Sequence, residues 1–476
     1  MRVSVNQRTA NETCRSHFFI TDFPELDNLG LRLLSCFKKS CAAMPESRVP
    51  ITRPQSASLI PYRWQLVGML WVVGFLNYAD RQAIFSVYPL LQSRLHLSLA
   101  ELGLLGSAFA WTYGLAAPFA GYVVDRIRRT TAILGGLQFW SWICAATALA
   151  SRLWSLTVLR CSMGLGESLY FPASLSMMSD YHGPQTRSRA LGLHQTSVYA
   201  GTIVGGFFAG WIAERYNWRM PFVFFGAAGA LFGIALYRFL IEPARGAAKG
   251  EIAPAPGDDA ALPPGIVEFA RFALRTPAVW LLMAAFACAN FVAVVLLVWM
   301  PSYLYRGFHM DLAMAGLTAT ALAQTGSMAG TAVGGWLADR FARRNTSGRV
   351  LVQAAGVFCG APFTLLCCIT RSIPMLLIGL AGWGFFKGLY DANIFASLFD
   401  VVPAAARGAA TGWMNTVGWM GGGGLAPLLV GIMAARHGLG PAMAIVSVVY
   451  VVAGIILLCV AFYALPRSFA NMTPAN

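Results

Sequence analysis

The chain has 476 residues, 57% of them hydrophobic and only 12% charged, about half the charge fraction of a soluble protein of that length. That composition excludes an ordinary soluble domain. The net charge of +15 would suit a nucleic-acid partner, but the basic residues fall in the short polar breaks between apolar runs, so no nucleic acid is expected and the excess reads as a membrane-topology signal.

In chain order, residues 1–60 are polar and irregular, lack a long apolar core of a signal peptide, and read as a disordered cytoplasmic tail or an over-long start, with Met44 as an alternative initiator. Twelve apolar windows follow, near 65–91, 100–120, 130–150, 153–178, 190–212, 220–241, 278–302, 312–338, 349–370, 374–398, 408–434 and 440–465. Each is long enough to span about 30 Å of hydrocarbon. The fold class is therefore an all-α polytopic membrane protein with twelve transmembrane helices in a lipid bilayer. With both termini cytoplasmic, the interior loops collect Arg126, Arg128, Arg129, Arg187, Arg189, Arg340, Arg343, Arg344 and Arg407, among others, and the opposite loops are poorer in Lys and Arg.

The first window holds "LNYADRQAIF", with Asp80 and Arg81 about 11 residues from the nearer helix end, roughly 16 Å at 1.5 Å per residue. No side chain snorkels that far, so both must face protein or a water-filled cavity. The fourth window, "RCSMGLGESLYFP", places Arg160 and Glu167 on one helix face, and its Gly164 and Gly166 invite close helix packing. Two acids and two arginines on two helices can neutralise one another. A fixed structural cluster and a proton relay are both compatible with that pattern; the relay explains why the desolvation cost is tolerated. The fifth window carries Gly201, Gly205, Gly206 and Gly210, a close-packing face. His194 lies there too, and a lone His in a span is more often a packing residue.

The longest polar break, 242–277, contains "PAPGDDAALPPG" and reads as a cytoplasmic linker. It divides the chain into 61–241 and 278–466, each with six windows, leaving 467–476 as a short cytoplasmic tail. The halves echo each other. "GYVVDRIRR" (121–129) matches "GWLADRFARR" (335–344), and Leu169–Tyr170, Asp180, Arg187, Gly192 and Thr196 recur 220 positions later as Leu389–Tyr390, Asp400, Arg407, Gly412 and Thr416. Such a fixed offset indicates duplicated bundles, the plan of secondary transporters with a midplane site between the halves. At the same offset from Glu167 stands Lys387, with Asp391 one turn on. Lys387 can attract an anion, or the two can form a self-contained i,i+4 pair. "GWMGGGG" (418–424) reads as flexibility or tight packing.

Gly121-xxx-Asp125-Arg126-x-Arg128-Arg129 and its second-half echo at Asp339 and Arg340 resemble the signature loop of the major facilitator superfamily, over about 60–470. By that resemblance Gly121, Asp125, Arg126, Arg128, Arg129, Asp339 and Arg340 gate the carrier, Gly121 by permitting close helix approach and the charges by pairing with neighbouring helix ends. The bland alternative is positive-inside anchoring. "NYADR" with "RxxxGxGE" is similar to the anion:cation symporter branch, which includes sugar-acid carriers, and also to the spinster-like branch, which moves lysolipids. The former implies that Asp80 and Glu167 carry coupling protons, that Arg81 and Arg160 engage a substrate carboxylate or hold the acids, that Tyr78 and Tyr113 line the cavity, and that Asn415 adds a polar contact. It implies proton-coupled uptake of a small organic anion by a monomer in the cell inner membrane, with the proton gradient as energy source and no cofactor. HExxH, GxSxG and Walker patterns are absent from the sequence, the six histidines are scattered and the ten cysteines lack metal-ligand spacing, so an enzyme is not expected. A non-transporting receptor on the same scaffold is the remaining alternative class.

Overall fold

The structure is a computed structural model that describes residues 61–243, 266–403 and 406–466. The tail 1–60, most of the linker 242–277 and the tail 467–476 lie outside the described residues. Those described are helical, with no strand among them. Helix is the expected outcome for apolar windows in lipid, because it satisfies each backbone N–H and C=O within its own segment.

The first element, α1 (Tyr62–Ser86), ends where Pro89 cannot donate back to Phe85, and the chain restarts as α2 (Tyr88–Leu95). Next comes α3 (Leu99–Arg126), opened by a capping box in which Ser98 Oγ accepts from Glu101 N–H at 3.2 Å and the Glu101 carboxylate accepts from Ser98 N–H at 2.7 Å. Then follow α4 (Arg129–Thr147), α5 (Leu153–Ser168), α6 (Tyr170–Tyr181), α7 (Pro184–Arg215) and α8 (Met220–Leu236). The fourth window is thus broken into α5 and α6. Pro172 lacks the N–H that would close on Ser168, so the break falls at Leu169, two residues after Glu167.

Within the expected linker the segment Ile266–Arg275 forms a helix, α9, whose Phe269 is fully buried. It leads into α10 (Pro277–Gly307), α11 (Leu312–Ala342), α12 (Gly348–Ile369), α13 (Ile373–Asp391), α14 (Ile394–Phe399), α15 (Arg407–Val417), α16 (Leu425–His437), α17 (Leu439–Ala444) and α18 (Val446–Cys459). Gly418–Gly423, between α15 and α16, is a π-helical turn. Among the described residues six helical stretches are by length and composition fit to cross a membrane: 185–215, 277–307, 348–369, 373–399, 407–437 and 439–464. Other predicted windows are helical as well, but carry charge, as in α1 and α3, or are shortened by breaks. Large apolar side chains face outward all round, among them Trp142, Trp154, Leu231 and Phe462, each more than half exposed, which suits a lipid-facing surface.

The glycine face of the fifth window packs as its spacing predicts. A Cβ at Gly201 or Gly205 would overlap the α1 backbone at Phe75 or Ala79, and one at Gly206 would come within 3.1 Å of Gly316 O on α11. Along α3, Gly103 faces the Pro427 backbone and Gly114 faces Trp419. Trp299 Nε1 donates to Pro427 O at 3.2 Å, and Leu428 N–H to Ser107 Oγ at 3.2 Å. The carboxylate of Glu214, at the end of α7, accepts from Leu312 N–H in the first turn of α11, and Arg306 donates to Gln92. The contacts of Gly103, Ser107, Gly206, Glu214 and Arg306 lie toward the end that carries Ser98, Leu312 and His437. Toward the opposite end, which carries Arg126 and Arg407, Phe119 and Tyr122 of α3 are 66% and 60% exposed.

Gly205→Ala should lower stability by about 1–3 kcal/mol, the usual cost of overpacking, because the Cβ meets backbone that cannot swing aside. Gly192→Ala on the same helix, where nothing lies within 4 Å, should leave stability unchanged or raise it slightly. Thermal unfolding of the purified protein in detergent compares the two.

Candidate functional site

The charges of α1 and α5 meet in the interior. Arg81 Nε donates to Glu167 Oε2 at 3.0 Å, and Nη2 donates to the same oxygen; the side chains are 9% and 0% exposed. Four rings surround the guanidinium, with Cζ 4.6 Å from the centroid of Tyr78, 4.7 Å from Phe109, 5.1 Å from Tyr113 and 5.7 Å from Trp419. Each ring face offers a negative quadrupole to the cation. Tyr113 also stacks on Phe109 and meets Trp419 edge-on, with centroids 5.9 and 5.2 Å away.

Mutual neutralisation of all four charges is not what forms. Arg160, 2% exposed, makes no ion pair among the described residues; its Cζ lies 4.7 Å from the Phe109 ring and 5.8 Å from Phe85. Asp80, 3% exposed, likewise makes none. Asp80 Oδ1, Arg81 Nη1, Arg160 Nε and Nη2, and Glu167 Oε1 are all buried without a hydrogen-bond partner. The reason is local geometry. Adjacent residues on a helix point about 100° apart, so Arg81 can reach Glu167 while Asp80 faces elsewhere. The site thus holds one formed ion pair and one acid and one base left unpaired, an arrangement with open valences for protons and for an anion.

The chain matches the description Major Facilitator Superfamily over residues 70–364 and again over 319–474. It belongs to the major facilitator superfamily. It is 27% identical over 393 residues to the hexuronate transporter of Bacillus subtilis (strain 168), covering 78% of this chain and 88% of that one. It is 24% identical over 404 residues to the D-galactonate transporter of Escherichia coli O6:H1, covering 81% and 93%. In structure it resembles a bacterial homologue of the human lysosomal transporter Spinster in an inward-facing, unoccupied conformation, with a TM-score of 0.75, 22% identity, and coverage of 88% and 100%; that likeness concerns the fold. As a member of this superfamily the protein is a membrane-embedded, multi-pass transporter and not an enzyme.

The remaining predicted residues divide by place. Lys387 pairs with Asp391 one turn on and is within electrostatic range of Tyr199 on α7 and Tyr78 on α1, so the self-contained pair forms at the edge of the same interior. Asn415 is half-buried and its Nδ2 donates to Thr411 O of its own helix at 3.1 Å, without reaching the Arg81 cluster. Gly121 is not at a close helix approach: a Cβ there would meet nothing within 4 Å. The side chain of Asp125 lies outside those described. Arg126 folds back on its own helix, donating to Tyr122 O at 3.2 Å over the Tyr122 ring, and Arg128 is exposed at the start of α4. Arg129 is buried and pairs with Asp180 of α6. In the repeat, Asp339 lies 3.6 Å from Arg349, which holds Asp400 more closely at 2.9 Å; Arg340 lies over Trp336 with Cζ 5.9 Å from the ring centroid.

Three site residues escaped the sequence reading. Phe109 stands one turn before Tyr113 and Trp419 one turn after Asn415, so helical spacing from residues already singled out would have found both. Asn77, one turn before Arg81, is 1% exposed with both amide atoms unpaired. His194 is not alone: its Nε2 is 2.8 Å from the Tyr170 hydroxyl, which donates to Leu70 O at 2.6 Å.

Outside the spans, the Glu242 carboxylate accepts from the N–H groups of Thr130 (2.8 Å) and Arg129 (3.1 Å) at the start of α4. Partial burial would raise its pKa, but these hydrogen bonds and the Arg129 charge outweigh that and hold it below the usual glutamate range.

Two expectations follow from these contacts. Arg81→Met leaves Glu167 buried without a partner and should destabilise the protein by about 3–5 kcal/mol, whereas Arg81→Met with Glu167→Gln should recover most of the loss; thermal unfolding of the single and double variants measures it. Because the folded-state pKa of Glu242 is depressed, its contribution is present above the unfolded value of about 4.3 and is lost as pH falls through the folded one. Glu242→Gln should therefore lower stability near neutrality and flatten the acid limb of a plot of Tm against pH.

Proposed function

We propose that this superfamily member is a proton-coupled symporter that takes up a small organic anion, with a sugar acid as the leading class. The observation that carries the reading is Arg81: a buried guanidinium inside an aromatic cage, bound to Glu167 through two nitrogens, with Nη1 lacking an acceptor. A carboxylate is the natural complement of such a fork. The names of the relatives, a hexuronate and a D-galactonate transporter, favour the same class.

In this reading the twelve apolar windows are twelve spans in two six-helix halves, 61–241 and 278–466, that rock about the central site in the cell inner membrane. The excess of arginine in alternate loops orients both termini to the cytoplasm, which puts the end that carries Arg126 and Arg407 on the cytoplasmic side. Charged Glu167 competes with the substrate for Arg81. Protonation removes the charge-assisted part of that bond and frees the guanidinium for a carboxylate, so proton and anion enter together. Asp80, unpaired and desolvated, is the second proton carrier, and Arg160 supplies the positive field that returns it to the ionised form. The Lys387–Asp391 pair faces the site from the second half and offers a further cation to an incoming anion. The carrier works as a monomer and needs no cofactor beyond the proton gradient.

Asp80→Asn and Glu167→Gln should each reduce pH-gradient-driven accumulation of D-galactonate or D-glucuronate in proteoliposomes at least tenfold while retaining counterflow exchange. Accumulation by both variants under an imposed gradient would sink the proton-relay assignment.

A further inference from the structure

Of the four rings around Arg81, Tyr78 stands on α1 and Phe109 and Tyr113 stand on α3. The fourth, Trp419, is the most distant at 5.7 Å and comes from a remote part of the chain. It is carried by the π-helical turn Gly418–Gly423, and π turns inside α-helices often mark functional sites. The turn itself is anchored. Asn290 Nδ2 donates to Gly418 O at 2.7 Å and Trp111 Nε1 to Met420 O at 3.3 Å, and a Cβ at Gly422 would overlap the Ala287 carbonyl. The indole is half-buried, meets the Tyr113 ring edge-on, lies beside Gly423 and Arg81, and its N–H makes no hydrogen bond among the described residues.

We infer that Trp419 is a specificity-determining wall of the site, delivered across the cavity by its glycine turn, and that it fits a carboxylate whose adjoining carbons carry both C–H faces and hydroxyls. The inference rests on the anion-uptake reading above and assigns it a further recognition element. An oxygen that reaches Nη1 of Arg81, a buried donor without an acceptor, must enter the cage beside one of the rings. Trp419 is the wall that leaves most room, its centroid 5.7 Å from the guanidinium carbon. Once displaced, its face lies along the carbons next to the carboxylate and its N–H is free for a hydroxyl. A polyhydroxy acid uses the guanidinium, the ring face and the indole donor together. A compact anion such as phosphate, or a two- or three-carbon acid, uses the guanidinium alone.

Binding titrations followed by thermal stability, with D-galactonate and D-lactate as the probes, separate these cases. Wild type should bind D-galactonate at least tenfold more tightly than D-lactate. Trp419→Leu should bring that ratio to within about threefold by weakening D-galactonate, and Trp419→Phe, which keeps a ring face but lacks the indole donor, should restore only part of it. Should Trp419→Leu fail to fold, Gly423→Ala serves instead, since its Cβ would lie 3.0 Å from the Trp419 ring and push it aside; the same fall in ratio is expected. An unchanged ratio, or equal weakening of both acids, overturns the role of Trp419 while leaving anion uptake intact. Failure of wild type to bind any sugar acid or lactate overturns the anion reading and this inference together.

Discussion

The buried Arg81–Glu167 pair is the interaction on which the rest of the interior depends. Removing two charges from water is compensated only when their geometry is good and their remaining donors and acceptors are satisfied. Here the pair is short and fully desolvated, yet Arg81 Nη1 and Glu167 Oε1 have no partner. A structural fastening would close those valences. Leaving them open keeps the pair breakable, as the proposed exchange of protons and anions requires.

The surrounding helices hold this cluster in place by close backbone approach more than by side-chain interlocking. Gly164 lets α5 settle on α3 at Phe109, and Gly166 lets it settle against Phe139 of α4, which fixes Glu167 at the height of Arg81. Gly201 and Gly205 do the same between α7 and α1. In a lipid-like surround, where apolar burial drives association weakly, such contacts carry much of the packing energy. The break at Leu169 follows immediately, so Glu167 is on the last turn of α5, where the helix path is free to bend.

Much of this was legible in the residues. The apolar windows, the intramembrane acids and bases, the glycine face of the fifth window and the duplicated loops each follow from period, length or cost of burial. What the sequence did not carry is angular and rotameric. Neutralisation of all four charges is an average over composition, whereas the structure pairs one acid with one base and strands Asp80 and Arg160, because neighbours in a helix point in different directions. Gly121 was expected at a close helix approach, but no neighbour stands within 4 Å of a Cβ there, and a glycine in a sequence does not say whether a second helix lies against it. Trp419 was within reach of helical spacing from Asn415, but the π turn on which it stands is not marked by residue type. The short helix Ile266–Arg275 was hidden by the Pro- and Gly-rich stretch before it.

The contact of Gly206 with Gly316 has one further consequence. There the two helices touch main chain to main chain, with Gln82 and Ser86 of α1 beside the contact. Interfaces built from interdigitated knobs must change rotamers before they part, and each change adds to the barrier. A bare contact has no such catches. The two surfaces can separate or slide like a plain bearing, so the friction of opening at this point is set by the wetting of the exposed backbone and by the few polar ties around it, such as Glu214 to Leu312.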